Sequence, residues 1–139
     1  MVDASDIVLL GVKPNTILSV CRNISKSCGS LTKKSFVSIA AGVRLEDLEM
    51  AIPSAKGFVR TMPNICSLVG EAATSLALGS KLQEHGTSGE TYQSCASIFS
   101  AVGTISLLED EDLMDAATGL AGSGPAFVFM LIESLGTTY

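Results

Sequence analysis

Three short loops hold the residues best suited to ligand binding: Val12-Lys13-Pro14, Ala40-Ala41-Gly42 and Met62-Pro63-Asn64. Each follows a predicted strand, and open α/β sheets bind ligands outside the carboxyl ends of their strands. The small residues of the second loop would let a planar or phosphorylated ligand approach the backbone, although spacing alone favours tight turn packing. Lys13 could meet a phosphate or carboxylate as a point charge, and a solvated lysine explains it equally well. These loops are therefore candidates for a binding site.

Signatures of nucleotide-phosphate, metal and nucleophile sites are missing from the 139 residues. A dinucleotide-binding G-x-G-x-x-G turn would follow a strand, whereas Gly122-Ser123-Gly124 follows a predicted helix and continues to Phe127. We therefore predict a sharp corner there. His85 lies in a polar stretch and is predicted to be an exposed loop residue, so no metal site is predicted. The four cysteines have no paired spacing and are predicted to be free thiols: Cys21, Cys28, Cys66 and Cys95.

Alternating strand and helix patterns position the three loops. The apolar run 7–12 is typical of a strand buried on both faces, and Pro14 suits the start of a helix that continues to about Ser25. Further strands are predicted at 36–39, 58–61, 72–78 and 104–108, with helices at 45–52 and 92–99. Such alternation with short connections indicates an α/β fold with a mostly parallel sheet.

The pattern after residue 108 is helical only, which predicts units at 1–108 and 109–139. The acidic run 109–112 precedes a helix and is predicted to cap it, because the helix dipole favours negative charge at that end. Pro125 then opens a helix that is apolar on all sides. Such a helix must be covered, either by the preceding residues or by another copy of the protein.

Composition excludes several classes of function. A hydrophobic content of 47% and a mean hydropathy of +0.43 indicate a folded core. A net charge of −5 with only nine Lys and Arg argues against nucleic acid as the main partner. The apolar run 126–132 is far shorter than the roughly 20 residues that span a bilayer, so no transmembrane segment is predicted. Residues 1–6 show no signal-peptide pattern, and the expected location is the cytoplasm.

The chain resembles the pyrroline-5-carboxylate reductase family along nearly all of its length. Most specific is the stretch 115–133, in which Gly122-Ser123-Gly124-Pro125-Ala126 is similar to the family's signature at the junction of the cofactor domain and the dimerisation helices. Four other regions look like the family's strand ends and the loops that follow them: 6–14, 38–43, 60–71 and 100–103.

The resemblance implies a partial Rossmann-like, mostly parallel sheet followed by the first helices of an all-α dimerisation domain. It implies an oxidoreductase of proline biosynthesis, which reduces 1-pyrroline-5-carboxylate to L-proline with NADPH or NADH. It also implies a homo-oligomer assembled through the helix from Pro125. The implied cofactor-binding residues are Val12, Lys13, Pro14, Ala40, Ala41, Gly42 and Asn64, and the implied substrate neighbours are Met62 and Pro63. No catalytic residue is assigned, because the nicotinamide carries the hydride and the protein supplies orientation.

The sequence departs from the family pattern in two ways. Ile65-Cys66 stands where Thr-Pro is usual, Ala72 replaces a usual Gly, and Phe127 replaces a usual Tyr. The glycine fingerprint at the family's amino end and its later Gly-Gly-Thr substrate segment are not found in these residues. We therefore expect a truncated form with little or no activity alone.

Two alternatives remain open at this level. The chain could be a non-catalytic binding or oligomerisation module derived from the enzyme, which docks through the helix at Pro125. It could also be a related reductase that acts on another imine or on a 3-hydroxy acid, although the signature at 122–126 argues against this.

Overall fold

The computed structural model describes residues 2–137, in which strands and helices alternate before an all-helical end. The strands are β1 (Ile7–Leu10), β2 (Ser35–Ser38), β3 (Gly57–Met62), β4 (Ala72–Leu78) and β5 (Gly103–Leu107). The helices are α1 (Pro14–Ser27), α2 (Leu45–Ala51), α3 (Glu90–Ser100), α4 (Leu113–Ala117) and α5 (Gly124–Gly136). Short 3₁₀ turns occupy Val2–Ala4, Ile65–Val69 and Gln83–Ser88.

The five strands form one sheet in the order β1-β2-β3-β4-β5. The first three strands are parallel, β4 runs antiparallel to β3, and β5 is parallel to β4. The connection 63–71 explains the reversal at β4, because a parallel crossover needs a dozen or more residues. The predicted mostly parallel α/β fold is confirmed.

Both faces of the sheet carry a core. On one face, Phe36 and Phe58 stack with ring centroids 5.3 Å apart, beneath residues of α1 and α2. On the other face, α3 covers the sheet with Cys95 and Phe99, which pack with Leu76. At about 1.5–3 kcal/mol for each fully buried large side chain, these cores hold the strands in register and so fix where the loops beyond them lie.

Strand β1 is less buried than its apolar sequence predicts. Of its residues only Leu10 is buried, and Leu9 is 54% exposed. The reason is that β1 lies at the edge of the sheet, where β2 is the one strand that pairs with it among residues 2–137. The prediction of a strand buried on both faces is therefore wrong for the described residues, and β1 presents an open edge.

The carboxyl-terminal residues form one long helical element, Leu113–Gly136, which we call the helical arm. A π-helical turn at Thr118–Gly122 joins α4 to α5, and Ser123 has helical angles of φ −94° and ψ −27°. The predicted corner at Gly122-Ser123-Gly124 is therefore wrong, because glycine permits a turn without requiring one. By length and composition alone the arm could cross a membrane, which the apolar run 126–132 had not indicated.

The helical arm is hardly buried by the rest of the described chain. Met114 near its beginning is buried in the first core, whereas the large apolar side chains of α5 are 52–66% exposed. The preceding residues therefore do not wrap the arm, and the expectation that they could is wrong. The other expectation, burial against a second copy, is taken up below.

The acidic run before α4 does not cap the helix as predicted. Asp112 at the N-cap makes no side-chain capping hydrogen bond, although the backbone N–H of Asp112 donates to Oδ1 of Asp110 (2.9 Å). Instead, Glu111 and Asp112 reach across to arginines of the α/β layer, where Asp112 pairs with Arg44 at 2.5 Å. The acids thus join the arm to the sheet.

Candidate functional site

The three predicted loops lie along one edge of the sheet. The register pairs Leu10 with Ser38 and Ser38 with Arg60, so β1, β2 and β3 end side by side. Because the strands are parallel, the loops that follow them leave from the same edge. We call this edge, with the loops 12–14, 40–42 and 62–64, the loop edge.

The first loop leads into the amino terminus of α1. Lys13 occupies the N-cap position with extended angles (φ −60°, ψ 148°), and its carbonyl accepts hydrogen bonds from Thr16 N (2.9 Å) and Ile17 N (3.2 Å). Pro14 fits the first turn because its missing N–H would have no intrahelical partner. The exposed Lys13 ammonium and the helix amino terminus both favour an anionic group at this end of the loop edge.

Two buried hydroxyl side chains make hydrogen bonds to the backbone of the second loop and of the strand end before it. Ser38 Oγ accepts from Ala40 N at 3.2 Å, and Thr61 Oγ1 donates to the carbonyl of Ser38 at 3.1 Å. Gly42 has φ +72°, and no atom lies within 4 Å of the position of a Cβ there. The loop is therefore anchored at Ser38 and Ala40, and its backbone at Gly42 is open to a flat ligand.

The third loop contacts the helical arm through Asn64. Its Nδ2 donates to the carbonyl of Ala121 at 2.9 Å, within the π-helical turn. Its Oδ1 is buried and has no hydrogen-bond partner among residues 2–137. Because a carbonyl can only accept, the contact with Ala121 fixes the orientation of the amide and leaves Oδ1 as an acceptor without a donor. A buried acceptor of this kind fits a ligand that brings an N–H group.

Met62 and Pro63 complete this end of the loop edge. Both residues are half-buried, and a Cβ placed on Gly122 would lie 3.2 Å from Cε of Met62. The absence of a side chain at Gly122 therefore lets the π-helical turn approach the third loop closely. Such turns often occur at functional sites.

Arg60 is a buried arginine of β3, close to the loop edge. It was not among the predicted site residues. Nη1 of Arg60 lies 2.7 Å from Oε1 of Glu111, and Nη2 lies 3.4 Å from Oδ1 of Asp115. The same Glu111 oxygen accepts from the backbone N–H of Leu45 at 2.8 Å. These contacts tie β3, α2 and the beginning of the arm together. An arginine inside an otherwise apolar strand was the available signal, since buried charges are paired.

The best-formed cavities of the described residues are not lined by the three loops. One of them, with a volume of about 660 Å³, is lined by residues such as Ile7, Ser35 and Thr91 at the amino-terminal ends of the strands. That end of a parallel sheet is not where such folds bind ligands, so the open loop edge remains the better candidate. No group of three metal-ligating side chains occurs between residues 2 and 137.

Two of the four thiols are poorly suited to act as nucleophiles. All four cysteines are free, as predicted, and Cys21 and Cys95 are fully buried. Burial raises the pKa of each of these two thiols from 9.0 to about 11, so the thiolate is disfavoured at neutral pH. His85 is exposed, as its polar surroundings predicted.

Comparison with known proteins gives a consistent result. Residues 111–138 match the family model described as pyrroline-5-carboxylate reductase dimerisation. The pyrroline-5-carboxylate reductase of Methanosarcina acetivorans is 44% identical over 97% of this chain and 47% of its own length. That of Arabidopsis thaliana is 39% identical over 97% of this chain and 46% of its own length.

The fold agrees with the sequence comparison. The crystal structure of Plasmodium falciparum pyrroline carboxylate reductase with NADP bound superposes with a TM-score of 0.82 at 32% identity. The superposition covers 96% of this chain and 48% of that one. The chain is therefore similar to pyrroline-5-carboxylate reductases along nearly all of its own length, and it spans about half the length of the relatives that it matches.

Proposed function

We propose that this protein acts in the reduction of 1-pyrroline-5-carboxylate to L-proline with NADPH or NADH, a step of proline biosynthesis. The observation that carries the proposal is the loop edge, where three strand ends place an open backbone beside a buried, unpartnered acceptor, Asn64 Oδ1. The proposal is supported by the names of the relatives and by the NADP in the Plasmodium falciparum structure.

The residues of the loop edge fit the nicotinamide half of such a cofactor. Gly42 leaves open space where a flat ring could lie against the backbone, and Asn64 Oδ1 could accept a hydrogen bond from a carboxamide N–H. Val12, Lys13 and Pro14 would line the same half at the amino terminus of α1, where an anionic phosphate is favoured. The exposed Ala41 would complete the contact, whereas Ala40 is buried in the core and would support the loop.

The bound nicotinamide would supply the hydride, and the chain's own residues would supply position. Met62 and Pro63 would hold the substrate ring beside Asn64, next to the place where the π-helical turn contacts the third loop. Holding two reactants in a productive orientation can account for a large part of the rate enhancement. The imine nitrogen would enter the site already protonated by solvent, so hydride addition to the carbon would give the amine without an acid from this chain.

Assembly into a homo-oligomer through the helical arm is part of the proposal. The dimerisation model matches residues 111–138, and the apolar side chains of α5 are more than half exposed in the single chain. Covering them would remove a surface that is unfavourable in water. A division of the chain near residue 108 and a cytoplasmic location also belong to the proposal, the latter because four free thiols suit a reducing compartment.

A second candidate function is a non-catalytic module that docks onto a longer subunit. It is favoured by the exposed apolar side chains of the arm, which offer a docking surface. Ligand binding distinguishes it from the reductase, because a docking module needs no nicotinamide at the loop edge.

A titration with NADPH, followed by nicotinamide fluorescence, tests the two candidates. We expect saturable NADPH binding. Its apparent Kd should change when 1-pyrroline-5-carboxylate or L-proline is present, because the ring of either molecule would lie beside the nicotinamide. A folded chain that self-associates but does not bind NADPH would contradict the reductase proposal and support the module.

A further inference from the structure

An exposed apolar turn follows the candidate site directly. In the 3₁₀ turn Ile65–Val69, the side chains of Ile65, Leu68 and Val69 are 56%, 82% and 75% exposed. The backbone of the turn is nevertheless closed by hydrogen bonds, from Ser67 N to Asn64 O at 3.1 Å and from Glu71 N to Cys66 O at 3.0 Å. The turn therefore holds these apolar side chains in water as part of the fold.

This turn is next to the helical arm. Asn64, the residue before the turn, donates its side-chain N–H to the carbonyl of Ala121 at 2.9 Å. Leu120, the arm residue before Ala121, is 80% exposed. We call Ile65, Leu68, Val69 and Leu120 the turn patch. The patch connects the α/β layer to the surface of the arm at a point fixed by a hydrogen bond.

The chemistry of the surroundings restricts what can cover the turn patch. No Asp, Glu, Lys or Arg occurs in residues 61–70 or in residues 116–132. A surface with no charge offers nothing to nucleic acid or to an acidic partner, and it suits the apolar centre of an interface between identical chains. The patch also shares Leu120 with residues 111–138, which match the dimerisation model, and Asn64 beside the patch is bonded to Ala121 of the same residues.

We propose that the turn patch is a second contact for the same copy of this chain that covers the helical arm. The interface then extends from the arm onto the α/β layer and lies beside the loop edge at Met62 and Asn64. This inference rests on the assembly given under the proposed function, and it adds the place on the α/β layer at which the second copy lies.

The inference is tested by comparing a charged substitution in the turn patch with the same kind of substitution elsewhere on the surface. Leu68→Asp should raise the self-association Kd at least about tenfold in sedimentation equilibrium, because an exposed side chain would become a buried charge. Met50→Asp is the matched control, since Met50 is an exposed apolar residue of α2, and it should change the Kd less than about twofold. Both variants should keep the wild-type thermal unfolding midpoint at low protein concentration.

The free thiols give a second readout without any substitution. Cys66 lies within the turn and Cys28 at the end of α1, and both are partly exposed. Alkylation of Cys66 should slow as the protein concentration rises through the self-association Kd, while alkylation of Cys28 should not. Equal rates for Cys66 in the dissociated and associated chain would overturn the inference.

The remaining outcomes separate this inference from the proposed function. If Phe129→Asp on the arm abolishes self-association and Leu68→Asp leaves it unchanged, the turn patch is not a contact and the assembly proposal stands. A wild-type chain that stays monomeric at all concentrations overturns both, whereas NADPH binding remains a separate measurement. Binding to phosphatidylcholine vesicles that Leu68→Asp abolishes, in place of self-association, overturns the inference in favour of a membrane.

Discussion

Nη1 of Arg60 lies 2.7 Å from Oε1 of Glu111, and this ion pair joins the end of β3 to the beginning of the helical arm. The arginine side chain is 4% exposed and the glutamate 16%, so water screens the pair little. Glu111 also accepts the backbone N–H of Leu45, which brings α2 to the same point. One carboxylate therefore connects β3, α2 and the beginning of the arm.

Glu111→Gln should destabilise the chain by about 1–3 kcal/mol, because Arg60 would keep a buried charge and lose its closest counter-charge. The exposed Asp115 at 3.4 Å compensates only in part. The measurement is the free energy of unfolding in urea at one fixed protein concentration. Glu109→Gln is the control, since Glu109 is exposed and should change stability by less than about 0.5 kcal/mol. Equal stabilities for the two variants would contradict the role given to Glu111.

Gly103→Ala should cost at least about 3 kcal/mol, since both backbone strain and overpacking oppose it. Gly103 has φ +153°, and a Cβ there would lie 2.1 Å from the carbonyl oxygen of Ala72 on the neighbouring strand. In contrast, Gly124→Ala places its Cβ in open space within α5 and should be neutral or stabilising by up to about 1 kcal/mol. Thermal and urea unfolding of the pair would measure both, and a tolerated alanine at 103 would contradict the β4–β5 pairing.

The free energy of unfolding should fall between pH 9 and about pH 11 because of the two buried thiols. The pKa of Cys21 and of Cys95 is raised from 9.0 to about 11 by burial, so the unfolded chain releases these protons first as pH rises. Stability is therefore retained below pH 9 and lost above it, with a slope of up to about 1.4 kcal/mol per pH unit for each thiol.

Comparison with Cys21→Ala isolates this effect from lysines and tyrosines that titrate in the same range. The variant should be less stable than the wild type at pH 8, because a buried side chain is shortened, yet it should lose less stability between pH 9 and 11. Parallel stability curves for the wild type and the variant would show that burial does not shift the thiol pKa.

Much of the α/β layer is predictable because its signals are local. The apolar run 72–78 predicts β4 with its observed bounds, and Pro14 predicts the start of α1. The antiparallel direction of β4 was missed, although the short connection 63–71 indicates it. The exposed face of β1 was missed because burial of a strand depends on which strands lie beside it, and the run 7–12 carries no such information.

The sequence predicts which loops form the candidate site, but it does not predict the side-chain contacts between these loops and the helical arm. Parallel strands alone bring Lys13, Gly42 and Asn64 to one edge, so that part follows from the pattern. The links that fix the arm against this edge connect residues far apart in the chain, Arg60 with Glu111 and Asn64 with Ala121. Local capping rules assigned the acidic run to the helix end, and tertiary pairing with arginines prevailed.

The most direct test of the account is NADPH binding to the wild type, to Asn64→Ala and to Asn23→Ala. The account predicts saturable binding to the wild type, about tenfold weaker binding to Asn64→Ala through the loss of one buried hydrogen bond, and a change below about twofold for the exposed Asn23→Ala. All three chains should show wild-type circular dichroism. A folded wild type that binds no NADPH, or an Asn64→Ala variant that binds as tightly as Asn23→Ala, would contradict it.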